Sequence, residues 1–162
     1  MAGCSVIIPA WNEAEHLETT IRAARRALNG CEIIVVDGGS TDSTAALASQ
    51  WADLCISCQR QRAAQMNAGA SAATGDLLLF LHADTLLAPG SGESLRKAFL
   101  TPNVAGGGFA RRFDSPSRFL QFTCYVAEAR CRAFGWFLGD QAIFCQKRGV
   151  RTCGRLSPAG PV

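Results

Sequence analysis

Three short apolar segments that lack in/out alternation place the strongest constraint on the fold. They are SVIIP (5–9), EIIVVD (32–37) and DLLLFL (76–81), and helical patterns separate them. A strand that is apolar on both faces needs cover on both faces, as in a parallel sheet with helices on each side. The sequence therefore predicts an α/β fold with a mostly parallel sheet and helices on both faces, and a weaker strand near 54–57.

Helical patterns fill the gaps between these strands. Asn12 and Glu15 stand as a capping-box pair at the predicted start of the first helix. The second helix should reach about Trp51. A third is expected over residues 62–74, ended by Gly75 in the position that glycine favours past a helix terminus.

The pattern changes after the first hundred residues. A strand that passes through a glycine cluster into a basic loop is expected over 103–114, and a helix is expected over 117–134. Residues 136–144 should form either a strand or a loop followed by a strand. Residues 146–162 contain four basic residues and no acid. This composition predicts a disordered tail after one domain that spans residues 1–145.

Composition narrows the class of protein. With 162 residues, 48% hydrophobic and 18% charged, the chain resembles one globular domain. No apolar run approaches the ~18 residues that cross a bilayer, and the first residues lack the basic leader of a secretory signal. We therefore expect a cytoplasmic protein.

Eight cysteines raise the question of a zinc site or of disulfides. Only Cys55 and Cys58 have CxxC spacing, and no second pair follows to complete a tetrahedral zinc site. Several others adjoin strand-like apolar residues, where cysteine behaves as a small hydrophobe. Structural thiols in a reducing compartment are expected.

Charge is distributed unevenly along the chain. Residues 1–100 carry 7 Lys/Arg against 10 Asp/Glu, whereas residues 101–162 carry 9 against 3 and most of the large aromatics. Basic and aromatic residues together indicate an anionic partner, either a phosphate-bearing substrate or a membrane surface. A packed aromatic helix with a solvated basic face explains the pattern equally well. No nucleic-acid motif has its expected spacing, so no nucleic-acid partner is expected.

Three polar loops follow the three strong strands. They are PAWNE (9–13), DGGSTD (37–42) and HADT (82–85). Ligands of such sheets bind beyond the carboxyl ends of the strands, so the three loops should share one edge. The dinucleotide fingerprint GxGxxG is absent from the first of these turns, which argues against a hydride-transfer enzyme.

Each of the first two loops has both a binding and a structural interpretation. Asn12 and Glu13 are placed to contact a base or ribose, although a strand stop and helix cap would use them too. Asp37, followed by two glycines that allow close backbone approach, could accept hydrogen bonds from a uracil-like N–H or a ribose hydroxyl. Alternatively it belongs to a simple turn in which Asp42 caps the next helix.

Arg62 opens the third predicted helix, RAAQMNAGA (62–70). A guanidinium there could meet a nucleotide phosphate or base. Asn67 and Gly69 are poor helix formers inside this helix, and tight packing of the helix on the sheet is the structural alternative.

The HADT loop offers one carboxylate and one imidazole. In an extended backbone His82 and Asp84 point the same way. A Mg²⁺ or Mn²⁺ ion on a diphosphate would accept Asp84 as a ligand, with His82 as a second ligand or an outer partner. Taken alone, a polar turn between core segments is the simpler interpretation.

Together with GDQAIF (139–144), these stretches resemble family 2 glycosyltransferases with the GT-A fold over about residues 4–145. The likeness is closer to the bacterial branch described as selenodomain- or radical-SAM-associated, which is also linked to arsenosugar biosynthesis. The resemblance implies an inverting sugar transfer from a nucleotide-diphosphate sugar to a small-molecule or lipid acceptor, with possible peripheral contact at the inner face of the cell membrane.

The resemblance also implies roles for particular residues. Asp84 matches the last, metal-binding acid of the family's DxD motif, while His82 replaces the first acid. Asp140 would lie on the acceptor side. The residues implied to bind the nucleotide sugar are Pro9, Ala10, Asn12, Glu13, Asp37, Gly38, Arg62, Asn67, His82 and Ala83.

One departure from the family concerns the general base. Relatives continue with an acidic pair, one of which activates the acceptor hydroxyl, whereas no Asp or Glu follows Asp140 in this sequence. This predicts a truncated or frameshifted version of a longer protein, and it leaves a catalytically inert nucleotide-sugar-binding protein as the alternative. A nucleotidyltransferase is a third possibility, but it would need a basic glycine-rich loop where PAWNE stands.

Overall fold

One sheet organises the protein. The computed structural model describes residues 3–101, 104–134 and 142–148. Within these residues six strands pair in the order β3-β2-β1-β4-β6-β5. The strands are β1 (Cys4–Ala10), β2 (Glu32–Asp37), β3 (Leu54–Ser57), β4 (Leu77–Phe80), β5 (Gly106–Gly108) and β6 (Ile143–Gln146). The helices are α1 (Leu17–Ala27), α2 (Thr44–Trp51), α3 (Arg62–Ala72), α4 (Ser91–Leu100) and α5 (Arg118–Phe134).

Strands β1 to β4 are parallel, and β5 and β6 add an antiparallel margin. Strand β1 pairs with β2 from Ser5 opposite Glu32 to Ala10 opposite Asp37, and with β4 on its other side. Strand β6 runs antiparallel to both β4 and β5. The register places the carboxyl ends of β1, β2 and β4 at one edge, as predicted.

Helices cover both faces of the sheet. On one face, Val6 and Ile8 of β1 pack with Leu17 and Ile21 of α1 in a core that also includes residues of α2 and α4. On the other face, Ile7 joins residues of β2, β4 and α3. Because neighbouring residues of β1 serve opposite cores, the strand is apolar from Val6 to Ala10, and the sheet with helices on both faces confirms the predicted α/β class.

Close packing explains the glycine inside α3. A Cβ on Gly69 would overlap the Ile7 side chain and come within 3.2 Å of Val36 Cγ2. The helix therefore rests directly on β1 and β2, which agrees with the structural explanation of this residue. Side chains of ordinary size would push the helix off the sheet.

Two predicted helix boundaries are wrong. Helix α1 begins at Leu17, five residues after Asn12, so the capping box does not form. Asn12 has φ 54° and uses its side chain elsewhere. Helix α3 ends at Ala72, and Gly75 instead packs against Gly3, where its N–H donates to Ser5 Oγ over 2.9 Å.

The sequence analysis missed α4 and misjudged the C-terminal strands. Helix α4 has a single buried leucine, Leu95, so its apolar period is weak. Strand β5 occupies only Gly106–Gly108 of the predicted segment, and β6 extends to Gln146, past the predicted domain end. Asp140 and most of the predicted tail lie outside the described residues.

Within the described residues, the structure has no helix that is both long enough and apolar enough to span a bilayer. Seven described cysteines are free thiols, including Cys55 and Cys58. Burial raises the pKa of Cys4 to about 12 and that of Cys31 to about 11, so both stay protonated at neutral pH. The prediction of structural thiols fits these environments.

Candidate active site

Hydrogen bonds join the loop after β1 to the loop after β2. We call residues 9–14 and 37–44 the linked loops. Asn12 N–H donates to Ser40 Oγ over 2.9 Å, and Thr41 N–H donates to Asn12 Oδ1 over 2.8 Å. Glu13 N–H donates to Thr44 Oγ1 over 2.8 Å. The left-handed φ of Asn12, which asparagine tolerates better than most residues, turns its side chain toward the second loop.

Asp42 belongs to the same connection. Its carboxylate accepts hydrogen bonds from Thr44 N–H and Oγ1 and from Ala14 N–H. The hydroxyl bond from Thr44 is the main reason that the pKa of Asp42 lies below its ordinary value. Ser43, and not the predicted Asp42, holds the N-cap position of α2, while Asp42 bonds to Thr44 and ties the two loops together.

Asp37 is nearly buried at the end of β2, with 4% of its surface exposed. Its carboxylate accepts from the N–H group of Gly39, from the N–H group of Ser40 at both oxygens, and from the Ser40 hydroxyl. These four contacts use about as many acceptor positions as a carboxylate offers. The turn holds Asp37 in place, and its binding role stays a prediction.

Gln65 is a functional candidate that the sequence analysis missed. The side chain is buried, and its Nε2 donates to Ala10 O over 3.0 Å and to Val36 O over 2.8 Å. Gly38 fits beneath it, since a Cβ there would lie 3.1 Å from Gln65 Nε2. Its only signal in the sequence was a polar residue among small ones in α3.

Trp11 and Arg60 form the outer rim of the linked loops. The Arg60 guanidinium lies 3.1 Å from the centroid of the exposed Trp11 ring. This cation–π contact holds an aromatic surface beside the turn that contains Asp37. Neither residue was singled out from the sequence, because a single Trp in a loop has no periodicity.

Arg62 lies beside His82 at the same edge. Arg62 Nη2 is 2.6 Å from His82 Nδ1 and 2.5 Å from Nε2. Partial desolvation lowers the pKa of Arg62, and the negative charges of Asp84 and Glu13 oppose that shift. Since arginine remains protonated in proteins, this edge carries a fixed cation among two carboxylates. The structure thus brings together four predicted residues, which are Glu13, Arg62, His82 and Asp84.

Asp84 fits a metal ion better than His82 does. The Asp84 carboxylate is exposed, and Thr85 Oγ1 donates to it over 3.3 Å. The Arg62 cation next to both His82 nitrogens disfavours a divalent ion at the same atoms. No group of three His, Cys, Asp or Glu side chains among the described residues could hold a metal unaided. One carboxylate suffices for Mg²⁺ or Mn²⁺ when substrate phosphates and water complete the coordination.

The remaining predicted residues have other surroundings. Ala83 is buried, and its carbonyl accepts from Thr20 Oγ1 over 2.7 Å, which fixes the HADT loop to α1. Pro9 and Ala10 lie within β1, opposite Val36 and Asp37. Asn67 lies five residues beyond Arg62, about 7.5 Å along α3, and its binding role stays a prediction.

A cavity of about 600 Å³ opens on the far side of Asp84. We call it the β5-side cavity, because the segment that follows β5 forms one of its walls. Its lining includes His82 and Asp84 on one side and Arg111, Arg112 and Asp114 on the other. No residue of the linked loops is among the described residues that line it, whereas Asp84 is.

The sequence from residue 5 to residue 154 matches the model of glycosyl transferase family 2. The chain belongs to this family. Family membership favours an enzyme over the inert binding protein and the nucleotidyltransferase.

Curated family 2 relatives resemble the chain over part of their length. An uncharacterized glycosyltransferase of Nostoc sp. is 30% identical over 110 residues, which cover 63% of this chain and 34% of that protein. The undecaprenyl-phosphate 4-deoxy-4-formamido-L-arabinose transferase of Salmonella newport is 43% identical over 93 residues, covering 49% and 28%. The matched stretch thus spans about a third of these relatives.

Solved structures confirm the GT-A fold. The mannosyltransferase PcManGT of Pyrobaculum calidifontis, in complex with GDP-Man and Mn²⁺, has a TM-score of 0.79 at 22% identity, covering 98% of this chain and 48% of that one. Glucosyl-3-phosphoglycerate synthase of Mycobacterium tuberculosis, in complex with UDP, has a TM-score of 0.66 at 20% identity, covering 91% and 57%. At these identities the likeness concerns the fold.

Proposed function

We propose that this family 2 domain binds a nucleotide-diphosphate sugar at the shared edge of β1, β2 and β4 and transfers the sugar with inversion to an acceptor. The single observation that carries the proposal is the arrangement at that edge, where the linked loops, Arg62 and Asp84 adjoin. The nucleotide complexes of the two structural neighbours support it.

The linked loops would hold the nucleoside. Their cross-bonds leave Asn12 and Asp37 oriented before any ligand arrives, which reduces the ordering cost of binding. A base N–H or a ribose hydroxyl would donate to Asp37 in place of the longer, 3.3 Å contact from Ser40 N–H. The Trp11 ring, held by Arg60, would contribute an apolar surface at the rim.

Arg62 and Asp84 would act on the diphosphate. The Arg62 guanidinium can donate several hydrogen bonds to phosphate oxygens, and His82 positions it. Asp84 would hold Mg²⁺ or Mn²⁺ together with those oxygens. Such an ion, when bound, offsets the negative charge that builds on the departing diphosphate.

The transfer itself is a single displacement. An acceptor oxygen attacks the anomeric carbon from the face opposite the diphosphate, the bond from that carbon to the diphosphate oxygen breaks, and the nucleoside diphosphate leaves with the electron pair. The configuration at the anomeric carbon inverts. A hydroxyl acceptor also loses its proton to a base or to water, and Asp140 is the acceptor-side residue that we propose from the family resemblance.

The proposal also covers the branch of the family, the acceptor and the place of the reaction in the cell. We propose that the chain belongs to the selenodomain- or radical-SAM-associated branch and acts at the inner face of the cell membrane. The relative named for undecaprenyl phosphate supports a lipid acceptor. Exposed Phe119, Phe122 and Tyr125 on α5, next to Arg118, would provide the membrane contact.

Calorimetry of UDP and GDP binding, with and without Mn²⁺, tests the donor site. We expect Mn²⁺ to strengthen binding in the wild type, and Asp84→Asn to remove at least about 10-fold of that gain because a charged ligand is lost. The matched control is Glu93→Gln, an exposed acid on α4 that pairs with Lys97. Mn²⁺-dependent binding that is equal in wild type and Asp84→Asn would refute the assignment of Asp84.

A further inference from the structure

The β5-side cavity lies apart from the linked loops. It measures about 600 Å³, and the residues that line it come from the HADT loop and the start of α4, from the segment after β5, and from Ala142, just before β6. In the strand order, β6 and β5 lie beyond β4, whereas β1 and β2 lie on its other side. A ligand in this cavity would therefore meet Asp84 from the side opposite the nucleoside.

Two arginines give this cavity its positive wall. Arg111 and Arg112 line it, and the Arg111 guanidinium lies 4.7 Å from the centroid of the Phe113 ring. Stacking on an aromatic ring limits the directions in which a guanidinium can donate. Asp84 and Asp114 line the cavity as well, so two carboxylates face it besides the two guanidiniums. The anion proposal therefore concerns the side formed by Arg111 and Arg112, whose neighbouring guanidiniums can donate together to one phosphate or carboxylate.

Apolar surface continues from the arginines to the mouth of the cavity. Leu86 and Phe113 both line it, and they are 60% and 41% exposed. Leu87 and Phe109 form deeper parts of the same wall. An occupant that covers this surface gains from burial while its anionic group meets the arginines.

We propose that the β5-side cavity is an acceptor subsite in which Arg111 and Arg112 bind the phosphate or carboxylate of an acceptor that also has an apolar part. The proposal rests on the proposed function, because only a donor held on the other side of Asp84 makes this ligand an acceptor. The anionic group fixes the acceptor beside Asp84, and the apolar part lies along Leu86 and Phe113.

The test measures binding of phenyl phosphate, which has an anionic group and an apolar ring, to the full chain. We expect Arg111→Gln and Arg112→Gln each to weaken binding by ~10-fold or more, since each removes a charge-assisted hydrogen bond. Arg26→Gln is the matched control, because Arg26 is exposed in the last turn of α1 and is not among the described residues that line the cavity. Its effect should stay below ~2-fold.

Nucleotide binding separates this proposal from the donor assignment. UDP and GDP affinities with Mn²⁺ should change less than ~2-fold in Arg111→Gln and Arg112→Gln. If nucleotide affinity falls as much as phenyl phosphate affinity, the arginines hold the donor and the proposal is overturned. If no form binds nucleotide while phenyl phosphate binding still depends on the two arginines, the donor assignment fails and the anion site is supported.

Further outcomes bear on the anion and on its source. An equal loss in Arg26→Gln, or no phenyl phosphate binding by the wild type, overturns the proposal. Arg112 is exposed, so Arg112→Gln should fold even if Arg111→Gln does not.

The source of the anion is tested with farnesyl phosphate in detergent. A lipid acceptor is supported if farnesyl phosphate binds more tightly than phenyl phosphate and if Phe113→Ser weakens that binding. Tighter binding of phenyl phosphate than of farnesyl phosphate supports a small soluble acceptor. If inorganic phosphate binds as tightly as phenyl phosphate, the proposed apolar part of the acceptor is refuted.

Discussion

The linked loops and helix α5 use their side chains in opposite ways. In the linked loops, Asn12, Asp37 and Asp42 bond to neighbouring residues of the same loops. On α5, Phe119, Phe122 and Tyr125 are 73%, 62% and 71% exposed. The loops therefore have a geometry that is set before a ligand binds, whereas the α5 face presents apolar surface that the described fold does not bury. This difference fits the proposal in which the linked loops bind the donor and the α5 face contacts a membrane.

The largest effect expected for a residue of the candidate site tests whether the linked loops depend on Gln65. In Gln65→Leu the carbonyls of Ala10 and Val36 each lose a donor in a buried place, which should lower the free energy of unfolding by about 1–3 kcal/mol. Urea denaturation measures this loss, and Gln50→Leu on the exposed face of α2 is the control. Equal stability of the two variants would show that Gln65 does not hold the loops.

A smaller effect concerns acid. Because hydrogen bonds from Thr44 and Ala14 lower the pKa of Asp42 below its ordinary 3.8, the tie between the loops is complete above that pH and is lost as the pH falls through the folded pKa. Amide NMR shifts of Thr44 and Ala14 should titrate together below pH 3.8. This titration should vanish in Asp42→Asn. A midpoint above 3.8 would contradict the tie.

The smallest expected effect lies on α5. Phe122→Ala should change the free energy of unfolding by less than about 0.5 kcal/mol, because the ring is exposed. The matched control in the same half is Phe144→Ala, a buried ring that contacts Phe99 and Phe109, which should cost about 3–5 kcal/mol. A large loss in Phe122→Ala would mean that the α5 face is covered, and the comparison with the linked loops would fail.

The same variant, Phe122→Ala, tests the proposed membrane contact of the α5 face. If the α5 face contacts an anionic membrane, Phe122→Ala should weaken sedimentation with phosphatidylglycerol vesicles, and added salt should weaken it further. UDP binding should be unchanged. Wild-type protein that stays in the supernatant at low salt would end the membrane proposal without touching the donor site.

Much of the fold could be predicted because its signals are local. The apolar runs in β1, β2 and β4 indicate burial on both faces without reference to any distant residue. The capping box failed for a tertiary reason, since Asn12 bonds to Thr41, 29 residues away, instead of to its own helix. Helix α4 was missed because it buries only one leucine, so its pattern does not stand out.

The sequence by itself determined the α/β class, the three loops at one sheet edge, and the family resemblance that pointed to Asp84. The tertiary structure alone decided that Gln65 bonds to Ala10, 55 residues away, that Arg62 lies against His82, and that Arg111 and Arg112 line a cavity with Asp84. The physical reason is that a side-chain contact depends on strand register and helix placement, which no local pattern of residues specifies.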